Sequence, residues 1–262
     1  MISIRNLHYS VGKATIIKDI SIDLLPGKCT MILGPNGSGK STFLKLFSGA
    51  AVPDSGEIIY EDQKLSSIRK EEMAKVRAVL SQSNELSFPL TVSEVVMMGR
   101  YPHFDFSPSA NDYKTVGEVI EMLNLTGFAE RNYLTLSGGE KQRVQFARVL
   151  SQIWKAPANT ITYLFMDEPL TGLDINYQQE FLKIAKSLLT DKLVLVAVMH
   201  DINLASQYGD ELIILKEGTV AAAGSAEEVL NADLIKDVFG VSSVFIENPF
   251  TGKPLMIYDS HS

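Results

Sequence analysis

Two glycine-containing segments of this sequence have the composition of phosphate-binding loops. The first covers residues 34–41 (GPNGSGKS) and fits the pattern G-x-x-x-x-G-K-S. The second covers residues 136–140 (LSGGE) and is a short glycine turn that opens a predicted helix. A single nucleotide needs only one P-loop. A second anion-binding turn on the same chain therefore suggests that each copy completes the nucleotide site of another copy.

The surroundings of the first loop favour nucleotide binding over a plain glycine turn. Residues 31–33 predict a buried strand before the loop, and residues 42–47 predict a helix after it. Glycines let the backbone point its N–H groups inward, and the helix N-terminus adds a partial positive charge. We expect Lys40 to reach the β- and γ-phosphates and Ser41 to bind Mg²⁺. The predicted nucleotide contacts are Gly34, Pro35, Asn36, Gly37, Ser38, Gly39, Lys40, Ser41 and Thr42.

Two acidic residues follow a second apolar run. Residues 162–166 predict a buried strand that ends in Asp167 and Glu168. Open α/β sheets bind ligands at the carboxyl ends of their strands. Asp167 is therefore a candidate to hold Mg²⁺, directly or through one of its ligands. Glu168 is the candidate to accept a proton from the attacking water, a role worth about 10²–10⁴-fold in rate. The alternative is a polar strand end that caps the next helix.

With these motifs in this order, the sequence resembles the ATP-binding subunits of ABC transporters over nearly its whole length. Residues 136–140 match the signature loop of that family. The resemblance implies that Ser137, Gly138 and Gly139 grip the γ-phosphate held by the opposing subunit. Ser137 and Glu140 also have the spacing of a capping box, so a plain helix start is the alternative for this segment.

Further site residues are implied by the resemblance. Tyr9 matches the aromatic residue that stacks on adenine, and Gln82 matches the glutamine that contacts Mg²⁺ and water. His200 matches the switch histidine at the γ-phosphate, and residues 173–174 match a loop that crosses the dimer interface. Taken alone, such a tyrosine would more often pack in a core, such a glutamine would face solvent, and such a histidine would be structural.

The order of elements predicts an α/β fold of the P-loop ATPase type. Strands that alternate with helices imply a mostly parallel core sheet, and the resemblance adds an antiparallel β subdomain and an inserted helical subdomain. We expect one domain over residues 1–262. Its nucleotide core takes residues 1–82 and 155–240, its helical subdomain takes residues 84–154, and residues 241–262 form a hairpin with a Pro/Gly turn.

Composition limits the possible functions. The chain has 262 residues, 45% of them hydrophobic, which suffices for one substantial core. Its longest apolar run, residues 193–199, is far shorter than the ~20 residues of a membrane-spanning helix. The start of the chain has no signal-peptide pattern, and the lone Cys29 is compatible with a reducing cytoplasm. A net charge of −7 argues against nucleic-acid binding.

Three segments indicate the kind of transporter. Residues 88–103 look like the ATPases of iron-chelate and corrinoid importers, and residues 147–154 and 249–254 look most like those of haem importers. The resemblance implies ATP-driven haem import across a bacterial inner membrane. The chain would act on the cytoplasmic face as a homodimer on two permease subunits, with a periplasmic haem-binding protein upstream. The alternatives are a ferric siderophore or cobalamin importer, or a soluble ABC ATPase without a transport role.

One segment is a candidate contact for the permease. Residues 84–89 are partly apolar, with Leu86 and Phe88, and they follow Gln82. We expect them to form the groove that receives a cytoplasmic helix of the permease. The alternative is an ordinary solvent loop. Met97, Met98 and His103 could ligate haem by residue type, but an ATPase of this kind is not expected to hold the cargo.

Overall fold

The computed structural model describes residues 1–81, 86–157 and 159–259 of the chain. The chain divides into two compact units. The first is formed by Met1–Ser67 and Leu188–Ser262, and the second by Ile68–Ser187. The subdomain boundaries expected from the sequence stay a prediction. Gln82, together with Asn84 and Glu85 of the expected permease groove, lies outside the described residues.

The described residues form strands and α-helices that largely alternate after the first sheet. The strands are β1 (Ile2–Val11), β2 (Ala14–Leu24), β3 (Cys29–Leu33), β4 (Ser55–Tyr60), β5 (Gln63–Lys64), β6 (Arg77–Leu80), β7 (Thr162–Asp167), β8 (Leu193–Val198), β9 (Glu211–Lys216), β10 (Thr219–Gly224), β11 (Ser243–Glu247) and β12 (Pro254–Tyr258). The helices are α1 (Lys40–Phe47), α2 (Lys70–Val76), α3 (Val92–Met97), α4 (Ala110–Met122), α5 (Gly138–Ile153), α6 (Ile175–Ser187), α7 (Ile202–Tyr208), α8 (Ala226–Val229) and α9 (Ala232–Phe239).

The first unit contains an antiparallel sheet and a largely parallel one. The antiparallel sheet has the order β2-β1-β4-β5. In the other sheet β3 pairs in parallel with both β8 and β9, and β10 pairs antiparallel with β9. Every residue of β3 and β8 is buried, as expected for parallel strands whose two faces are both covered. This arrangement confirms the predicted α/β class.

The second unit is mainly helical around a parallel pair of strands. Strands β6 and β7 pair from Arg77 opposite Tyr163 to Leu80 opposite Met166. Helix α5 is the longest described helix of the unit and packs on α3, α4 and β6. Its buried face includes Val144, Ala147 and Leu150, three residues at the helical spacing that places them on one side. The unit therefore carries α5 and the end of β7 on a common packed core.

Short sequence signals set where three helices of the second unit begin. Helices α3, α4 and α5 each start at a capping box, formed by Thr91 with Glu94, by Ser109 with Asp112 and by Ser137 with Glu140. In each box the hydroxyl and the carboxylate satisfy backbone N–H groups that a helix start leaves unpaired. Within the part of the chain that the structure describes, no helix has the length and apolarity needed to cross a membrane.

Candidate active site

The glycine loop of the first unit connects β3 to α1. Gly34 has φ +153° and Gly39 has φ +99°, conformations that residues with side chains rarely adopt. A Cβ at Gly34 would also lie within 3.0 Å of the Leu215 carbonyl oxygen and of the Ser38 hydroxyl. Position 34 therefore requires glycine for both its backbone conformation and its space.

Lys40 lies at the start of α1 and is buried inside this loop. Its Nζ donates hydrogen bonds to the carbonyl oxygens of Gly34 at 2.8 Å and of Pro35 at 3.1 Å. An ammonium group taken out of water needs partners of this kind. The loop thus holds a positive charge against its own backbone, at the place where the motif predicts a phosphate.

The Ser38 side chain has an unusual environment. Ser38 is buried, and its Oγ has no hydrogen-bond partner among the described residues. Its backbone is held on both sides, because its N–H donates to Pro35 O at 3.2 Å and its carbonyl accepts from Gly218 N at 3.1 Å. A buried hydroxyl without a partner is uncommon in native proteins. It leaves the P-loop with a polar group available to a bound ligand.

The end of β8 lies beside the start of the P-loop. Ile32 of β3 is in register with Val198 of β8, and Met199 N donates to Ile32 O at 2.9 Å. His200 follows directly and is exposed. Because carboxyl ends of neighbouring parallel strands meet at one edge, the first unit brings the P-loop and His200 to the same edge. Tyr9 is half-buried on β1, opposite Ile17 of β2.

The two predicted acidic residues lie at the carboxyl end of β7 in the second unit. Asp167 is the last residue of the strand and is buried. Glu168 is half-buried and has φ +51°, in the left-handed region that residues with a Cβ avoid. The backbone then continues through two turns, with Thr171 N bonded to Glu168 O at 3.3 Å and Leu173 N bonded to Leu170 O at 3.2 Å.

The signature segment forms the start of α5. The Ser137 Oγ accepts from Glu140 N at 3.3 Å, and Ser137 N donates to Glu140 Oε2 at 2.7 Å. The backbone hydrogen bond from Ser137, followed by the bond to its hydroxyl, lowers the pKa of Glu140. These two hydrogen bonds form the predicted capping box, which fits both the helix-start and the anion-binding interpretation. The space beside Gly138 is open, because a Cβ there would meet nothing within 4 Å.

The sequence reasoning missed two residues in the next turn of α5. The Gln142 Nε2 donates to the Pro169 carbonyl oxygen at 2.9 Å. Arg143 pairs with Glu180 of α6 at 2.9 Å, and its guanidinium lies 5.0 Å from the ring centroid of Tyr177. The helical pattern assigns both side chains to faces away from the main buried face, and no local signal identifies partners this distant in sequence. They join the signature helix to the segment that follows Glu168.

The predicted site residues that the structure describes are divided between the two units. The first unit holds Tyr9, the P-loop with Ser41 and Thr42, and His200, and the second holds Asp167, Glu168 and the signature turn. Residues 173–174 lie between β7 and α6, where the Asp174 carboxylate accepts from Tyr177 N at 2.9 Å. Met97 is half-buried in α3. His103 is bonded to Gln152 O at 2.7 Å.

Comparison with known protein families gives one family match. A family model described as ABC transporter matches residues 17–171, more than half of the chain. The hemin import ATP-binding protein of Gloeobacter violaceus is 40% identical over 242 residues, which cover 92% of this chain and 88% of that protein. The hemin import ATP-binding protein of Escherichia coli O157:H7 is 36% identical over 260 residues, covering 99% of this chain and all of that protein (100%).

Solved structures agree with the fold. An ABC transporter in an inward-facing conformation superposes with a TM-score of 0.82 over 98% of this chain and 96% of that chain, at 23% identity. A dimeric bacterial ABC transporter cassette superposes with a TM-score of 0.73 over 86% of this chain and 98% of that chain, at 29% identity. The first match supports the fold alone, because its sequence identity is low.

Proposed function

This chain belongs to the ABC transporter family and is an ATPase subunit of a transporter. We propose that the cargo of this transporter is haem. Both relatives described above are named for hemin import, and each aligns with nine tenths or more of this chain. Within the chain itself, the observation that most directly supports nucleotide binding is the position of the Lys40 amine, which is buried in the P-loop and donates to the carbonyl oxygens of Gly34 and Pro35. A γ-phosphate at this loop would form a charge-assisted hydrogen bond with that amine.

We infer the following roles at the phosphates. The backbone N–H groups of residues 34–42 and the Ser38 hydroxyl bind the phosphate oxygens, and Lys40 neutralises them. Tyr9 stacks on the adenine, and His200 contacts the γ-phosphate. Glu168 accepts a proton from the attacking water. The buried Ser38 hydroxyl supports this scheme, since it has no hydrogen-bond partner among the described residues and a phosphate oxygen would satisfy it.

Mg²⁺ fits the oxygen donors that the chain offers. Ser41 supplies a hydroxyl and Asp167 a carboxylate, and we propose that Gln82 adds an amide oxygen. Among the described residues, no cluster of three or more His, Cys, Asp or Glu could hold a metal by itself. Mg²⁺ at a nucleotide site does not need one, because phosphates and water supply most of its ligands. The ion would neutralise charge on the β- and γ-phosphates.

We propose that the working form is a homodimer. The signature turn at Ser137, Gly138 and Gly139 of one copy then completes the nucleotide site formed by the P-loop of the other. The dimeric cassette that superposes on this chain is consistent with such an arrangement. Two permease subunits would bind the dimer at the cytoplasmic face of the inner membrane, and a periplasmic haem-binding protein would deliver the cargo.

A mixing experiment tests whether the nucleotide site is shared. Lys40→Ala removes the ammonium group that would bind the phosphates, and Ser137→Arg blocks the signature turn. Each variant alone should be inactive in ATP hydrolysis. A heterodimer of the two places both lesions in one composite site and leaves the other site whole, so mixtures should recover activity. A mixture with no more activity than either variant alone would refute the shared site.

The cargo is tested with the permease present. Sealed vesicles that contain the chain with its permease should take up haem in an ATP-dependent manner when the binding protein is added. Ferric siderophore and cobalamin are the comparison cargoes, because importers of both remain the alternative. Uptake of a ferric siderophore or cobalamin in place of haem would change the proposed cargo but leave the role as a transporter ATPase unchanged. Failure of the chain to co-purify with any membrane fraction would favour the soluble alternative.

A further inference from the structure

We propose that Gln142 is a positioning residue that holds the backbone carrying Glu168, so that the signature helix and the proposed base form one mechanical body. This inference rests on the proposed function, in which Glu168 accepts the proton of the attacking water. It concerns the second unit alone, and every contact that carries it lies inside that unit.

The first observation is the hydrogen bond from α5 to the turn after β7. The Gln142 Nε2 lies 2.9 Å from the Pro169 carbonyl oxygen, and Pro169 is buried. The carbonyls of Glu168 and Leu170 accept bonds from within the same turn. The Pro169 carbonyl instead receives its bond from a side chain of a different element. Gln142 therefore fixes the peptide between Pro169 and Leu170, one residue beyond Glu168.

The second observation is the backbone conformation of Glu168. Its φ of +51° is unfavourable for a residue with a Cβ, and such conformations persist only where the surroundings over-determine them. Pro169 restricts its own φ, and the Gln142 bond fixes the carbonyl on its far side. Together they leave the Glu168 peptide little freedom to relax. Loss of the Gln142 donor should allow the carboxylate to shift.

The third observation is that the start of α5 contacts the chain both before and after residues 173–174. Gln142 holds Pro169 before that segment, and Arg143 holds Tyr177 and Glu180 after it. A movement of the signature helix must therefore carry the Glu168 turn with it. In the proposed dimer, the signature turn contacts ATP bound to the partner copy. Gln142 would thus connect the nucleotide of the partner to the base of its own copy.

The experiment removes the donor and keeps the volume of the side chain. Gln142→Met cannot donate a hydrogen bond, whereas Gln142→Lys restores a donor of similar reach. Gln152→Met is the matched control, because Gln152 lies on the same helix and its Nε2 donates to the carbonyls of Ala74 at 2.7 Å and Arg77 at 2.9 Å. The measurements are the kcat and KM of ATP hydrolysis by the full chain, and the affinity for labelled ATP.

Gln142→Met should lower kcat about tenfold, since small displacements of a catalytic group cost one to two orders of magnitude. KM and ATP affinity should stay within about twofold, because the phosphate-binding loop is untouched. Gln142→Lys should recover most of the lost kcat. Gln152→Met should leave kcat near wild type, even if it lowers stability as much as Gln142→Met does.

Two results would overturn the proposal. They are an unchanged kcat in Gln142→Met, with or without a raised KM, and an equal loss of kcat in Gln152→Met. If Gln142→Met does not fold, judged by the fluorescence of the single tryptophan, Gln142→Glu supplies a second variant without the donor. Failure of the proposed function is distinguishable, because Lys40→Ala and Glu168→Gln would then hydrolyse ATP as fast as wild type.

Discussion

Replacing Asp112 by asparagine should destabilise the second unit strongly. Asp112 and Arg100 form an ion pair whose side chains are 3% and 6% exposed, with Arg100 Nε 3.0 Å from Asp112 Oδ1. The other carboxylate oxygen accepts from Ser109 N at 2.9 Å and from Ser109 Oγ at 2.6 Å. Arg100 also donates from Nη1 to Ser151 O at 2.7 Å. The pair therefore joins the start of α4, the 3₁₀ turn Met98–His103 and the end of α5.

The size of the effect follows from what the substitution leaves behind. The amide oxygen of the new side chain can still accept from Ser109, so the capping box is partly kept. The Arg100 guanidinium, however, stays buried without its counter-charge, and breaking a buried pair in this way costs about 3–5 kcal/mol. Because the bond to Ser151 remains, we expect a loss at the lower end of that range, about 3 kcal/mol. Replacing both partners, as Arg100→Met with Asp112→Leu, should cost less than the single change, because no unpaired charge is left.

Urea unfolding is the assay, with Trp154 as its reporter. The chain contains a single tryptophan, and its Nε1 donates to Glu118 Oε2 at 2.9 Å inside the same unit. A loss of about 3 kcal/mol should lower the unfolding midpoint by about 1 M at an m-value of about 3 kcal/mol/M. Glu72→Gln is the control, because its ion pair with Arg69 is exposed to solvent and salt screening. That variant should leave the midpoint unchanged.

The pH dependence gives a second check. Burial by itself raises the pKa of Asp112, but hydrogen bonds from Ser109 and Arg100 outweigh it and hold the pKa below its usual value. The stabilisation is therefore complete above the unfolded pKa of about 3.9 and is lost as pH falls through the folded value. The gap between wild type and Asp112→Asn should close in acid. A midpoint shift no larger than that of Glu72→Gln at neutral pH would refute the reasoning.

Three further changes have expected outcomes. Gly99→Ala should lower the free energy of unfolding by at least about 2 kcal/mol, because the added Cβ would lie well under 3.0 Å from the Arg148 carbonyl oxygen. The control is Gly117→Ala in helix α4, where the added Cβ would meet nothing within 4 Å. In the same urea assay this control should raise the free energy of unfolding by about 0.5–1 kcal/mol. Glu168→Gln should keep ATP binding, slow hydrolysis about 10²-fold or more, and accumulate as a closed dimer in size-exclusion chromatography with MgATP; near-normal turnover would remove it as the base. Phe88→Asp, at a side chain that is 68% exposed, should weaken permease assembly or uncouple transport from hydrolysis without changing ATP binding, and wild-type uptake and complex yield would eliminate the groove assignment.

Local motifs could be recognised from the sequence because covalent spacing sets their geometry. In the P-loop, glycines at fixed intervals decide the backbone, and the neighbouring apolar runs decide where β3 ends and α1 begins. The signature turn behaves in the same way, since Ser137 and Glu140 cap α5 through bonds three residues apart. The α/β class follows from the alternation of strands and helices. These features depend on residues close together in the chain, so a single sequence contains them.

Other features were decided only when distant segments packed together. The partner of Gln142 lies at Pro169, and the partner of Asp112 lies at Arg100 on a separate turn. The left-handed conformation of Glu168 carries no sequence signal, because glutamate ordinarily avoids it. The fold around Ser38 likewise decides that its buried hydroxyl finds no hydrogen-bond partner in the described part of the chain. Sequence spacing limits which side chains share a face, but it does not select a partner carbonyl or charge across the core. That selection is made by the packing of the elements, which sets both burial and the groups within hydrogen-bonding distance.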